Sequence, residues 1–237
     1  MRQQQMLNIE QFRYGDNLGY LLYGTKEAMA IDAGAWQEIL GFLEKYRLTL
    51  KYVTNTHGHF DHTLGDEYLL EKTDAKYLDC ARFTDNEKIF LDGLEVVVYR
   101  TPGHSRDSVC FHTGDILITG DTLFNGTVGN CFSGDLRGFF NSILRLMALP
   151  GHTRVFAGHD YVRDSLAFAL HLEPHNKYIQ HFMDNSEPDF LFSTIDQERK
   201  INPYLRFNEE PIIGLIKARG FPHETEWERW QALMSMD

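Results

Sequence analysis

Within Thr56-His57-Gly58-His59-Phe60-Asp61-His62 four side chains competent to bind metal lie close together. The stretch Lys51–Asn55 just before them reads as a short strand, so the cluster leaves a strand end and enters a loop. In extended backbone, side chains two apart point the same way. His57 and His59 can therefore grip one ion, and once the chain turns, Asp61 and His62 can face a second. Imidazole and carboxylate ligands in this number suit zinc, iron or manganese better than calcium or magnesium.

The chain around this loop alternates strand and helix signals. Leu7–Tyr14, Leu18–Tyr23 and Ala28–Ile31 read as a β-meander, with Gly15-Asp16-Asn17 and Gly24-Thr25 as its turns. Trp36, Ile39, Leu40, Leu43 and Tyr46 fall at helical spacing, and a second helix is predicted over about His62–Lys72. Ala75–Asp79 and Leu94–Tyr99 are further strands, and Ser108–His112 with Asp115–Thr119 reads as a hairpin. In Thr101-Pro102-Gly103-His104, proline fixes one dihedral and glycine frees the next, giving a tight loop that holds His104. The hairpin runs into Gly120-Asp121, a glycine-rich loop covers Asn125–Gly134, and Leu136, Phe139, Phe140, Ile143, Leu144 and Met147 mark an amphipathic helix. A strand over Arg154–Ala157 opens on Gly158-His159-Asp160-Tyr161. Beyond about residue 165 the spacing is helical, interrupted at Pro174, Pro188, Pro203, Pro211 and Pro222, with Trp227, Trp230 and Met234 as a packing stripe.

Four strand ends are thus each followed by a loop carrying histidine or aspartate. In layered α/β folds such loops converge on one cleft. The expected sum is His57, His59 and His104 for one ion, Asp61, His62 and His159 for another, and Asp121 between them. Each ion keeps open positions, which marks a catalytic rather than a closed site, and two such ions acidify a shared water.

A His-x-His-x-Asp-His loop, two later histidines and an aspartate resemble the metallo-β-lactamase superfamily. That resemblance implies an αββα sandwich, here residues 1–165, followed by a small helical C-terminal segment over 166–237. Within the superfamily, Thr101-Pro102-Gly103-His104, Gly120-Asp121-Thr122-Leu123-Phe124, Gly158-His159-Asp160-Tyr161, Glu173-Pro174-His175-Asn176 and Asn202-Pro203-Tyr204-Leu205-Arg206 look like the type II glyoxalases, the hydroxyacylglutathione hydrolases. The resemblance implies two divalent ions, most simply zinc, with iron or manganese as alternatives. It makes Asp61 and Asp121 catalytic as well as ligating, and makes the substrate a small thioester such as S-lactoylglutathione. It also puts Tyr161 and Arg206 at the glutathione carrier. This chain departs from that pattern in the loop after Asp121, where Asn130 and Phe132 replace a basic residue and a tyrosine, and after Arg206, where Phe207-Asn208-Glu209-Glu210 lacks a second cation. A lost charge-assisted hydrogen bond weakens carrier binding by about 1.5–3 kcal/mol. A lactonase, a thioesterase for another carrier, or a persulfide dioxygenase with a single iron therefore stand as alternatives.

Composition narrows the partners. A net charge of −11 disfavours nucleic acid and anionic membrane surfaces, which need clustered Lys and Arg. The three cysteines, Cys80, Cys110 and Cys131, show no CxxC spacing and suit a reducing compartment. Met1-Arg2-Gln3-Gln4-Gln5 has no signal-like apolar run, so a cytoplasmic protein is expected. Asp32, at a strand end before Gly34, is either a carboxylate supporting a ligand imidazole or an ordinary turn residue, and both readings stay open. His112 sits inside a strand and reads as a structural histidine, and Cys131 as an inert thiol.

Overall fold

The β1–β2 hairpin, Asn8–Tyr14 and Asn17–Tyr23, closes on the two residues Gly15-Asp16, with Gly15 at φ 67°. It begins a five-stranded sheet continued by β3 (Glu27–Ile31), β4 (Thr49–Thr54) and β5 (Lys76–Leu78), in that order. A second sheet holds β6 (Glu87–Leu91), β7 (Leu94–Arg100), β8 (Val109–Thr113), β9 (Ile116–Gly120), β10 (Arg154–Ala157) and β11 (Ser193–Thr194), also in chain order. Residues 6–185 and 190–236 are described in this computed structural model. The amino-terminal pentapeptide and Pro188, both noted above, lie outside the described residues.

Alternation along the strands sets the layers. Leu18, Tyr20 and Leu22 of β2 join Met29 and Ile31 of β3, facing Val96, Val98, Phe111 and Ile118 of the second sheet. Their neighbours Leu21, Ala28 and Ala30 point the other way, onto Ile39 and Leu43 of α1 (Trp36–Tyr46) and Leu69 of α3 (Asp66–Lys72). On the far face, Cys110, Leu117 and Val155 pack on Phe139, Phe140, Ile143 and Leu146 of α4 (Leu136–Met147). The result is the expected αββα sandwich. Full burial of each such side chain contributes about 1.5–3 kcal/mol.

The sandwich elements differ from the sequence reading at a helix and at a strand. The helix expected over His62–Lys72 is two, α2 (Phe60–Thr63) and α3, divided at Leu64-Gly65. A side chain at Gly65 would collide with the Ala33 carbonyl, so only glycine lets this turn approach the exit of β3. Strand β6 was not foreseen, because its exposed residues and its place at the sheet edge leave only Ile89 and Leu91 buried.

The C-terminal segment is not purely helical. Its two-residue strand β11 pairs with β10 and is too short for periodicity to register. Around it lie α5 (Val162–Leu172), α6 (Lys177–Asn185), α7 (Ile195–Ile201), α8 (Glu210–Ala218) and α9 (Glu226–Met234). The boundary expected at residues 165–166 falls inside α5. Leu166 and Ala169 join the core between the sheets, while Ile212, Ile216, Trp230 and Leu233 share the α4 core. Trp227 and Met234 pack against that same core, as the stripe predicted. Among the described residues no helix is long and apolar enough to cross a membrane.

Candidate metal centre

The parallel pairings make the C-terminal ends of β3, β4 and β5 share an edge, and likewise those of β9 and β10. The loops leaving β3, β4, β7, β9 and β10 carry Asp32, His57–His62, His104, Asp121 and His159, and the structure brings them together. His57 Nε2 and His104 Nε2 lie 2.9 Å and 3.0 Å from His59 Nδ1. His62 Nε2 lies 3.5 Å and His159 Nε2 3.3 Å from Asp61 Oδ2. Asp121 stands between the two groups: Oδ1 is 3.4 Å from His62 Nε2, while Oδ2 is 3.4 Å from His104 Nε2 and 3.5 Å from His159 Nε2. Two nitrogens on one tetrahedral zinc sit about 3.3 Å apart. The observed spacings of 2.9–3.5 Å are therefore those of donors arranged for common ions.

Bonds behind the rings fix which nitrogen faces inward. His104 Nδ1 donates to the Asn130 carbonyl at 3.0 Å, leaving Nε2 with its lone pair free. His62 Nδ1 is 3.0 Å from Asp32 Oδ2, and the fully buried Asp32 also accepts from Thr56 N and Thr56 Oγ1, each at 2.7 Å. Asp32 is thus the supporting carboxylate, and its backbone takes φ 53° to reach there. Gly158 allows His159 in: a Cβ there would collide with Asp121 Oδ1.

Electrostatics calls for a cation. Burial disfavours charge on His62, but the Asp32 and Asp121 carboxylates outweigh it and push its imidazole up to about 11. Burial also opposes ionisation of Asp121, yet the facing imidazoles of His159, His62 and His57 hold it well below the usual carboxylate range. Burial and the neighbouring His62 bring His57 down to about 4, so its ring is a neutral donor. The buried atoms His62 Nε2 and Asp121 Oδ1 have no hydrogen-bond partner, although buried polar groups ordinarily find one. A divalent ion satisfies both, and the residues fit the group.

The remaining predicted residues fall at different distances from this chemistry. Tyr161 is at the rim, its ring flat on His159 at 4.7 Å and edge-on to Phe124. Asn130 contributes its carbonyl to His104 while the residue itself is exposed. Phe132, 68% exposed, stands edge-on to His104 at 5.2 Å and His59 at 6.0 Å. Arg206 makes its bonds within the C-terminal segment, a two-pronged pair with Glu173 at 2.7 Å and 2.9 Å. There it lines a groove of about 420 Å³ with Pro174, Lys177 and Tyr178. Arg137 stacks on Trp227 at 4.8 Å, away from the place of the missing loop cation. His112 bonds Tyr99 and stays structural. One residue the sequence reading missed is Asn17, whose Nδ2 donates to Asp61 Oδ2 at 2.8 Å. A single asparagine after a turn carries no signal of such a role.

Fold and site together define a protein of the metallo-β-lactamase superfamily. Residues 15–81 and 78–159 match the family described as the metallo-beta-lactamase superfamily, and residues 160–236 match the hydroxyacylglutathione hydrolase C-terminus. The hydroxyacylglutathione hydrolase of Brucella canis is 33% identical, with 94% of each chain covered. That of Idiomarina loihiensis is also 33% identical, over 79% of this chain and 80% of its own. The crystal structure of ETHE1 from Myxococcus xanthus superposes with a TM-score of 0.67 at 22% identity, covering 97% and 99% of the two chains, which shows the shared fold. The chain belongs to the hydroxyacylglutathione hydrolase family.

Proposed function

We propose that this protein hydrolyses an S-2-hydroxyacylglutathione, S-lactoylglutathione first among them, to glutathione and a 2-hydroxy acid, in the cytoplasm. The observation that carries this reading is the convergence of seven donors from distant loops into groups whose ligand atoms lie within 4.8 Å of one another, in a chain related over most of its length to hydroxyacylglutathione hydrolases. His57, His59 and His104 hold one divalent ion, Asp61, His62 and His159 a second, and Asp121 serves both. Zinc fits these donors, and iron or manganese fit them too. When bound, the ions supply Lewis acidity and an acidified water. Asp61, whose side chain is 44% exposed, would orient the attacking water toward the thioester carbonyl. The thiolate is a good leaving group, so the absence of an added general acid costs little. Tyr161 borders the carrier, and Asn130 keeps His104 aligned through its carbonyl. Residues 166–237 act as the substrate-binding segment, with Arg206 in its wall.

A thiol carrier other than glutathione is a second reading. It is favoured by an exposed phenylalanine, Phe132, beside the histidines and by an Arg206 already paired with Glu173. Thiol release measured on the metal-loaded protein tests the proposal. Turnover of S-lactoylglutathione is expected. Hydrolysis of a lactone or another thioester without it moves the assignment to the second reading, and oxygen uptake with glutathione persulfide overturns hydrolysis altogether.

A further inference from the structure

We infer that Asn17 is a positioning residue for one half of the metal centre, holding Asp61 with its side chain at the point where the backbone of its neighbours Asp16 and Leu18 holds the chain at His159. The inference rests on the reading of Asp61, His62 and His159 as the donors for one ion. Asn17 is itself buried, at 7% exposure, and its Nδ2 donates to Asp61 Oδ2 at 2.8 Å. That oxygen is the one lying 3.3 Å from His159 Nε2 and 3.5 Å from His62 Nε2. Asp61 sits in the one-turn helix α2, so little else restrains its carboxylate. An amide donor fixes the carboxylate without cancelling its charge, which a lysine or arginine in that place would do.

The chain at Asn17 also borders the other donor, through the backbone bonds of its two neighbours. It forms an isolated antiparallel bridge with His159, flanked by Leu18 N to Gly158 O at 2.8 Å and Asp160 N to Asp16 O at 2.9 Å. This is a point where the first sheet is stitched to the second, at the start of β2 and the exit of β10. Asn17 thus lies between two donors that are far apart in sequence, bonded to Asp61 and opposite His159 in the bridge. Neither bond touches His57, His59 or His104, so its effect should fall on one ion only.

The test is competitive titration of the whole protein with zinc against a chromophoric chelator, which resolves two dissociation constants without using turnover. Asn17→Ala and Asn17→Leu both remove the donor. Leucine keeps the volume and burial that alanine loses, so a folding defect of the alanine variant does not decide the outcome. Loss of a partner behind a metal ligand weakens affinity about 10–100-fold. Both variants are expected to weaken the second constant by that factor and to leave the first within about threefold, so that bound zinc falls from two to one where free zinc is buffered between the wild-type and variant second constants. Two unchanged constants, or two weakened equally, would overturn the inference. Wild-type protein that loads only one ion would instead remove the ligand reading beneath it.

Discussion

The two halves of the centre are anchored differently. In the half formed by His57, His59 and His104, the rings brace one another at 2.9–3.0 Å, and the His104 ring is pinned by the Asn130 carbonyl. In the half formed by Asp61, His62 and His159, only His62 is locked by a fully buried carboxylate. His159 Nδ1 has no hydrogen-bond partner, with the exposed Asp16 carboxylate 3.8 Å away, and Asp61 is 44% exposed. The first half is pre-formed by contacts among its own rings. The second depends on long-range bonds from β2 and β3, through Asn17 and Asp32. An ion bound to the second half must order more of its own ligands, so that half should hold metal less tightly.

The largest effect should come from the residue common to both halves. Asp121→Ala is expected to lower kcat/KM about 10³-fold or more, since ions at such sites supply several kcal/mol to the transition state. Metal analysis of the same variant should show both ions weakened. Asp32→Asn comes next. Its amide can turn an N–H toward His62 Nδ1, which moves the ring proton onto Nε2 and blocks the atom that faces the second ion. A loss of about 10–100-fold in second-ion affinity is expected, read by chelator competition, with the first ion little changed.

A smaller effect tests whether the first half leans on the C-terminal segment. Glu198 of α7 is fully buried and accepts from Gly126 N at 3.0 Å and Asn202 Nδ2 at 2.8 Å. Gly126 and Asn130 lie in the same loop, Asn125–Gly134. Burial pushes Glu198 up to about 7, against hydrogen bonds from Ser193, Asn202 and Gly126 that pull it down. The folded protein thus holds this proton more tightly than the unfolded chain does. The stabilisation is complete below about pH 4.5 and is lost as pH rises to about 7, a change of about 1–3 kcal/mol. Denaturant melts across pH 4.5–8 should show that slope in the wild type and a shallower one in Glu198→Gln, the remainder coming from Asp66, which burial also pushes up to about 7. Least of all, Cys131→Ser should shift stability by under about 0.5 kcal/mol and leave thiol release unchanged.

The seven donors were legible because each follows a strand, and strands announce themselves by alternation. His57 and His59 needed only the two-residue repeat of extended chain. What stayed hidden acts through backbone or through single polar residues. The role of Asn130 lies in its carbonyl, which any residue could supply, so the missing side-chain cation said nothing about it. Asn17 lacks any pattern, and Asp32 read equally well as a turn until its bonds to Thr56 and His62 were seen. In the fold, β11 is two residues long and β6 buries two of its five, so neither gives a periodic signal. Arg206 matched the family's carrier contact, yet the sequence could not show that Glu173 already occupies its guanidinium.

On the proposed function, two ions, not one, support hydrolysis. Metal-free protein titrated with zinc while thiol release from S-lactoylglutathione is followed tests it directly. Activity should stay low through the first equivalent and rise through the second, then level off. Full activity at one equivalent, or oxygen consumption in place of thioester cleavage, would contradict it.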